Sequence, residues 1–224
     1  MTDPYQPAAE ADLVPLGDLL SWAFAFPRPD AEPWLRRARL ENVRTLRRDG
    51  RIAACLVQIP MGQFFGGESV PMVGIAGVAT AAEARGTGAG VEVMRRTLQE
   101  LSARGVALST LYAATRPLYR GVGYEAAGSH LELTVPLTNL EATDRTMPVR
   151  AVVPEDEPLL EELYRAHASQ VPGHVDRGPY VWSRVKTPRA SPTGTGGFVV
   201  GKGRPEATCS SSRSSWRRYT TTST

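Results

Sequence analysis

Residues 85 to 90 read Arg85-Gly86-Thr87-Gly88-Ala89-Gly90, and what stands on either side of them decides the fold. Ahead of them, Val70 to Thr80 is an apolar run that predicts a buried strand, interrupted by Gly74 and Gly77. Glycine weakens a strand, so two of them mark a bulge or a place where a backbone or ligand comes close. Behind the loop, Val91, Met94, Leu98 and Leu101 share one helical face with Arg95, Arg96, Gln99 and Glu100 opposite, and Arg104-Gly105 closes the helix. Glycines let successive N–H groups point into one concavity, and a helix start adds unpaired amides and the positive end of its dipole. The segment therefore predicts an anion site, with pyrophosphate as its natural occupant.

Three phosphate-binding patterns compete for this loop. A dinucleotide fingerprint needs a further glycine where Val91 stands, and a P-loop needs Gly-Lys-Ser/Thr, which is missing. A plain strand-to-helix connection explains the glycines poorly, because alternating glycines raise the entropy of the unfolded chain unless close approach requires them. The spacing Arg85-x-x-Gly88-x-Gly90, between strand and helix, instead resembles the acetyl-CoA signature of GNAT acyltransferases. A second stretch, Ala113-Ala114-Thr115-Arg116-Pro117-Leu118-Tyr119-Arg120-Gly121-Val122-Gly123-Tyr124, resembles the short aromatic helix and Gly-Tyr turn of the same superfamily. Over roughly residues 12 to 200 the order of these features, with Gly77-Val78-Ala79-Thr80 ending the central strand, resembles the Eis-like aminoglycoside acetyltransferases.

That resemblance implies a mixed α/β sheet flanked by helices and an acetyl-CoA co-substrate. Backbone groups of Val78, Ala79 and Thr80 would face the pantetheine and thioester. The loop from Arg85 through Gly86, Thr87, Gly88, Ala89 and Gly90 to Val91 would hold the pyrophosphate, with Ala114 and Thr115 completing the cofactor set. It further implies that Tyr119 is the general acid, that the acceptor is a primary amine of an aminoglycoside, and that the assembly is a hexamer. Chemistry supports the tyrosine independently, since a phenol of pKa about 10 is protonated at neutral pH and close in acidity to a departing thiol. Alternation makes Tyr112 a strand-core residue and Tyr124 a packing residue of the turn. Two rival readings remain: a CoA-binding module without turnover, and an acetyltransferase acting on protein amines.

Working outward, Leu13, Leu16, Leu19, Leu20, Ala23 and Phe24 have helical spacing that ends at Pro27-Arg28-Pro29, and a second helix is expected near Pro33. Strands flank the Asp49-Gly50 turn, and residues 61 to 68 read as a loop. Leu108 to Tyr112 predicts a strand, Pro117 to Gly121 a short helix and Leu131 to Leu137 a last strand. The domain boundaries expected are 1–140 for the acetyl-CoA-binding unit and 147–206 for a second, incomplete copy that opens the same way. Residues 208 to 224 hold eleven Ser or Thr and three Arg with no aliphatic or acidic residue, so residues 207–224 are expected to be a disordered tail. That tail reads as out-of-frame translation. A truncated or frameshifted chain would lack the terminal carboxylate that the family resemblance implies as general base.

Composition excludes several classes. Forty-two per cent apolar and 22% charged residues are globular values, and 26 Lys and Arg against 23 Asp and Glu give +3, which calls for no nucleic-acid partner. No apolar stretch reaches membrane-spanning length, so no membrane partner is expected. Cys55 and Cys209 make no disulfide framework, and a reducing, cytoplasmic location is expected. His130, His167 and His174 have no metal-ligand spacing, so no metal is expected.

Overall fold

Two tight turns set the strand order. Asp49 and Gly50 have φ of 49° and 76°, and Gly66 and Gly67 have 58° and 88°, the left-handed pairs that suit two-residue hairpins. The computed structural model describes residues 4–128, 149–186, 195–200, 207–212 and 215–219. Its elements are β1 (Tyr5–Pro7), α1 (Leu13–Phe24), α2 (Arg28–Ala38), β2 (Val43–Arg48), β3 (Arg51–Phe65), β4 (Glu68–Thr80), α3 (Ala89–Ala103), β5 (Leu108–Leu111) and α4 (Arg116–Arg120). There follow β6 (Val149–Ala151), α5 (Glu157–Ala168), β7 (Val175–Asp176), α6 (Pro179–Lys186), β8 (Thr195–Val200), β9 (Ala207–Ser212) and β10 (Ser215–Tyr219).

The chain divides into two units, and the first takes residues 1–63, 69–126 and 175–183. Its sheet runs β1-β2-β3-β4-β5, with β7 pairing β3. β1 with β2 and β2 with β3 are antiparallel, while β4 and β5 are parallel and joined through α3. This is the mixed α/β sheet flanked by helices that the family resemblance implies. Strand β3 is buried on both faces, so its side chains sort by parity. Ala54 and Leu56 join Val73, Ile75, Val93, Met94 and Leu101 under α3, whereas Cys55, Val57 and Ile59 join Leu16, Leu20 and Leu35 under α1 and α2. Full burial of each such leucine contributes about 1.5–3 kcal/mol.

A polar cluster holds α3 to the sheet. The Glu100 carboxylate accepts from Arg44 Nε (2.7 Å) and Nη2 (2.5 Å), from the Tyr5 hydroxyl (2.6 Å) and from Gln58 Nε2 (3.2 Å). Arg104 Nη1 donates to Gln58 Oε1 at 3.0 Å, and Thr97 lies 3.0 Å from the Tyr5 hydroxyl. Arg44, Gln58 and Thr97 are buried, so losing one partner would strand the others away from water.

In the second unit, β6, β8, β9 and β10 form an antiparallel sheet in the order β10-β9-β8-β6. Helix α5 follows a 3-10 turn at Pro154–Asp156. Asp156 ties that start to β6, accepting from Arg150 at 2.6 and 2.7 Å and from the Val153 amide at 3.0 Å.

Several expectations change. Helix α2 starts at Arg28, five residues before Pro33, because Pro29 sits in the first turn, where no backbone donor is needed. The expected loop at 61–68 is instead the outer part of the β3–β4 hairpin, since Gly66-Gly67 alone makes the turn and Gly62 stays in register opposite Asp176. Tyr112 is 90% exposed instead of in the core, because β5 ends one residue before it. Residues 207–212 and 215–219 pair as strands β9 and β10 within the stretch read from composition as a tail. The expected strand Leu131 to Leu137 lies outside the described residues.

Burial alone would raise the Glu100 carboxyl, but the hydrogen bonds from Arg44 and Tyr5 outweigh it and hold it at about 2. A depressed carboxylate stabilises the fold above its unfolded pKa, about 4.3, and that stability is lost as pH falls toward the folded value. Glu100→Gln is therefore expected to lower the melting temperature by several degrees at pH 7 and to differ little from the native chain near pH 2. Thermal melts at both pH values check this, and a pH-independent difference would remove the ionised carboxylate as the cause.

Candidate functional site

Strand β4 outlasts its neighbour. Its parallel register with β5 runs from Met72↔Leu108 to Ile75↔Leu111, yet β4 continues five residues further to Thr80. Gly77 turns the backbone there with φ +57°, and a Cβ on it would lie 2.6 Å from Cη2 of Trp34. The Trp34 indole is fixed in turn, its Nε1 donating to the Tyr180 hydroxyl at 2.8 Å. Gly77 is thus packed against Trp34, two residues past the point where the β4–β5 register ends. Val78 borders the core under α3 and Ala79 the core under α1 and α2. Thr80 ends the strand.

The loop begins after a 3-10 turn at Ala82–Ala84. Gly86 and Gly88 have φ of 76° and 84°, and a Cβ on either would meet no atom within 4 Å, so backbone conformation and not crowding demands glycine. Gly90 differs: its Cβ would sit 2.9 Å from Thr80 Oγ1, so its smallness lets the helix start abut the end of β4. Among the described residues, no acceptor pairs with the amides of Gly86, Gly88, Ala89, Gly90 or Val91. The Glu92 amide is the first to bond, to Gly88 O at 2.9 Å. Five free donors in six residues stand at the positive end of a 15-residue helix, an arrangement suited to an anion.

Two candidates have other duties. The Thr87 amide donates to Ala84 O (3.3 Å), its hydroxyl donates to the same oxygen (2.7 Å), and it accepts from Arg48 Nη1 at 2.6 Å. Arg85 donates its amide to Ala82 O at 3.3 Å, while its exposed guanidinium makes no bond among the described residues.

Past β5, Ala114 and Thr115 are exposed, and Thr115 stands at the N-terminal boundary of α4 without a side-chain cap bond. Tyr119 lies on α4, half-buried against the same core that Val78 borders. Its ring meets that of Tyr124 edge-on at 6.3 Å, and its hydroxyl has no partner among the described residues. Tyr124 is occupied, its hydroxyl 2.5 Å from Ser109 Oγ. Burial pushes both phenols above their usual pKa, so Tyr119 keeps its proton at neutral pH. Glu125, the carboxylate nearest in sequence, accepts from Arg120 at 2.9 and 3.0 Å, which holds it below the usual range. A cleft of about 340 Å³ between the end of α3 and β5 contains Tyr124 and Ser109 but none of the residues from 78 to 91. Among the described residues no cluster of His, Cys, Asp and Glu could hold a metal, and no helix is long and apolar enough to cross a membrane.

The model of the acetyltransferase (GNAT) domain matches residues 4–127. The chain also resembles the solved GCN5-related N-acetyltransferase from Anabaena variabilis at 32% identity over 95% of its own length, with a TM-score of 0.84. It therefore belongs to the GNAT acetyltransferase family. A probable N-acyltransferase from Enterococcus faecalis (20% identity, 94% of this chain and 55% of that one, TM-score 0.76) shares the fold. So does Eis1 from Mycobacterium abscessus (16% identity, 92% and 52%, TM-score 0.63). The chain spans about half the length of these structures, 56% in the Anabaena case. No curated protein matches it.

Trp34, Tyr180 and Arg48 escape sequence reasoning. Trp34 is visible only as a helix residue, and its partner lies 146 positions away. Arg48 reads as one more solvated charge before a turn.

The loop yields a direct expectation. Gly88→Val forces φ +84° on a β-branched residue and closes the open space beside the amides. The variant should keep its melting temperature within a few degrees and lose at least tenfold in acetyl-CoA affinity by calorimetry. Unchanged affinity in a folded variant would take the loop out of the site.

Proposed function

We propose that this chain is an acetyl-CoA-dependent N-acetyltransferase that acetylates a primary amine, with Tyr119 as general acid. The observation that carries it is the run of five unpartnered amides from Gly86 to Val91 beside a strand that has left its neighbour. A diphosphate fits the first feature, and an extended pantetheine arm fits the second, because β4 beyond Ile75 offers a strand edge that β5 does not use. Val78, Ala79 and Thr80 would hold that arm, Arg85 and the loop amides the diphosphate, and Ala114 and Thr115 the opposite wall. Acetyl-CoA supplies an activated acetyl thioester. The amine nitrogen forms the new bond to the acetyl carbon, the C–S bond breaks, and Tyr119 hands its phenolic proton to the leaving sulfur. The ammonium so formed gives up a proton, which returns the phenolate to its neutral form directly or through solvent.

Positioning of the two reactants and a preformed proton donor account for the acceleration. The acceptor class we propose is a small primary amine of aminoglycoside type, as in the Eis-like enzymes, with a lysine-like amine as the alternative. That choice rests on the sequence resemblance. A cytoplasmic site of action suits the reduced Cys55 and the co-substrate. One observation favours a second reading, a CoA-binding unit with slow turnover. An amine of pKa near 10 is mostly protonated at pH 7 and needs a base, and Glu125 is already committed to Arg120.

Tyr119→Phe tests the central role. It keeps the ring packing and removes a hydroxyl without a partner, so stability should change by less than about 1 kcal/mol. The kcat should fall by about 10²- to 10⁴-fold with KM for acetyl-CoA nearly constant, followed by thiol release across an amine panel. Full kcat in the variant would remove Tyr119 from the chemistry. Acetyl-CoA binding without thiol release from any amine would favour the second reading.

A further inference from the structure

The last residue of β2, Arg48, reaches out of the sheet to the loop. Its Nη1 donates to Thr87 Oγ1 at 2.6 Å and to Thr87 O at 3.2 Å, and its Nη2 donates to Glu92 Oε2 at 2.8 Å. One guanidinium therefore ties three segments: the end of β2, the loop, and the first turn of α3. Thr87 stands between the two glycines with positive φ, the residues with most conformational freedom, so pinning it restricts both. Glu92 poses a separate problem. A carboxylate in the first turn suits an empty helix dipole but repels an anion bound at the same amides.

We propose that Arg48 is a positioning residue for the diphosphate of the co-substrate: it clamps Thr87 and neutralises Glu92, so the loop amides stay ordered and their anion meets no free carboxylate. This rests on the reading of the loop as the diphosphate site. Arg48 touches neither the acetyl group nor the acceptor amine in this scheme. Its loss should therefore act on ligands that carry the diphosphate and spare those that do not.

Binding and transfer are to be compared for acetyl-CoA and for S-acetylpantetheine, which keeps the thioester and pantetheine arm but lacks the diphosphate. Arg48→Ala is expected to weaken acetyl-CoA binding by about three- to tenfold at low salt, the scale of one exposed ion pair plus one helix-terminus charge effect. Its KM for acetyl-CoA should rise with kcat unchanged, and its KM for S-acetylpantetheine should stay at the native value. Adding Glu92→Gln to Arg48→Ala should recover part of the lost affinity, a coupling that a double-mutant cycle reads directly. If the alanine variant does not fold, Arg48→Lys serves: it keeps a charge at Glu92, loses the forked contact to Thr87, and should weaken acetyl-CoA selectively but less. Native acetyl-CoA affinity in a folded Arg48 variant, or equal losses for both ligands, would overturn the proposal. Gly88→Val separates the two levels. If it loses acetyl-CoA while Arg48→Ala does not, only the role of Arg48 fails; if neither loses it, the diphosphate reading fails as well.

Discussion

Beyond Ile75, strand β4 has no β5 partner, and this parting governs the rest of the first unit. A strand that leaves its neighbour gives up ladder bonds, and such a break persists only where the surrounding packing enforces it. Here Gly77 takes a left-handed conformation against the Trp34 ring, which leaves no room for a side chain. The same strand must then deliver its end to the start of α3, where Gly90 lets the helix come within contact distance of Thr80. An open strand edge and a row of unbonded amides thus arise side by side from one backbone departure.

Holding that departure open is the work of the two cores and the polar cluster. Strand β3 sends alternate side chains to opposite faces, so α3 and the α1–α2 pair are locked to the same strand. Glu100, with Arg44, Tyr5 and Gln58, fixes the far half of α3, and Arg48 ties its first turn to the sheet. A helix anchored at both ends presents its terminal amides in a set direction. Preorganised donors of this kind act without further reorganisation when charge arrives.

The loop was legible in the sequence because its signal is local: glycine spacing, an apolar strand before it and an amphipathic helix after it. The short helix that carries Tyr119 was legible for the same reason, while the contact that occupies the Tyr124 hydroxyl, to Ser109, was not. Gly77 could be read as a bulge or a place of close approach but not as the seat of Trp34, since strand propensity says nothing about what packs on a strand. Contacts between distant positions stayed hidden. Arg48 and Thr87 are 39 residues apart, and Trp34 and Tyr180 are 146 apart, so nothing in either neighbourhood hints at the other. Local rules also misled where glycine or proline has two meanings. Gly62 lies within a strand, Pro33 within a helix, and the alternation that placed Tyr112 in the core ran one residue past the end of β5.

Amide-resolved NMR during titration with acetyl-CoA tests most directly whether the parted strand and the helix start form one binding site. The largest shifts should fall on the amides of Gly86, Gly88, Ala89, Gly90 and Val91, with a second group at Val78 to Thr80, and those of Thr87 should move less because its amide is already bonded to Ala84. Saturable shifts that cluster elsewhere and leave these amides still would contradict the account.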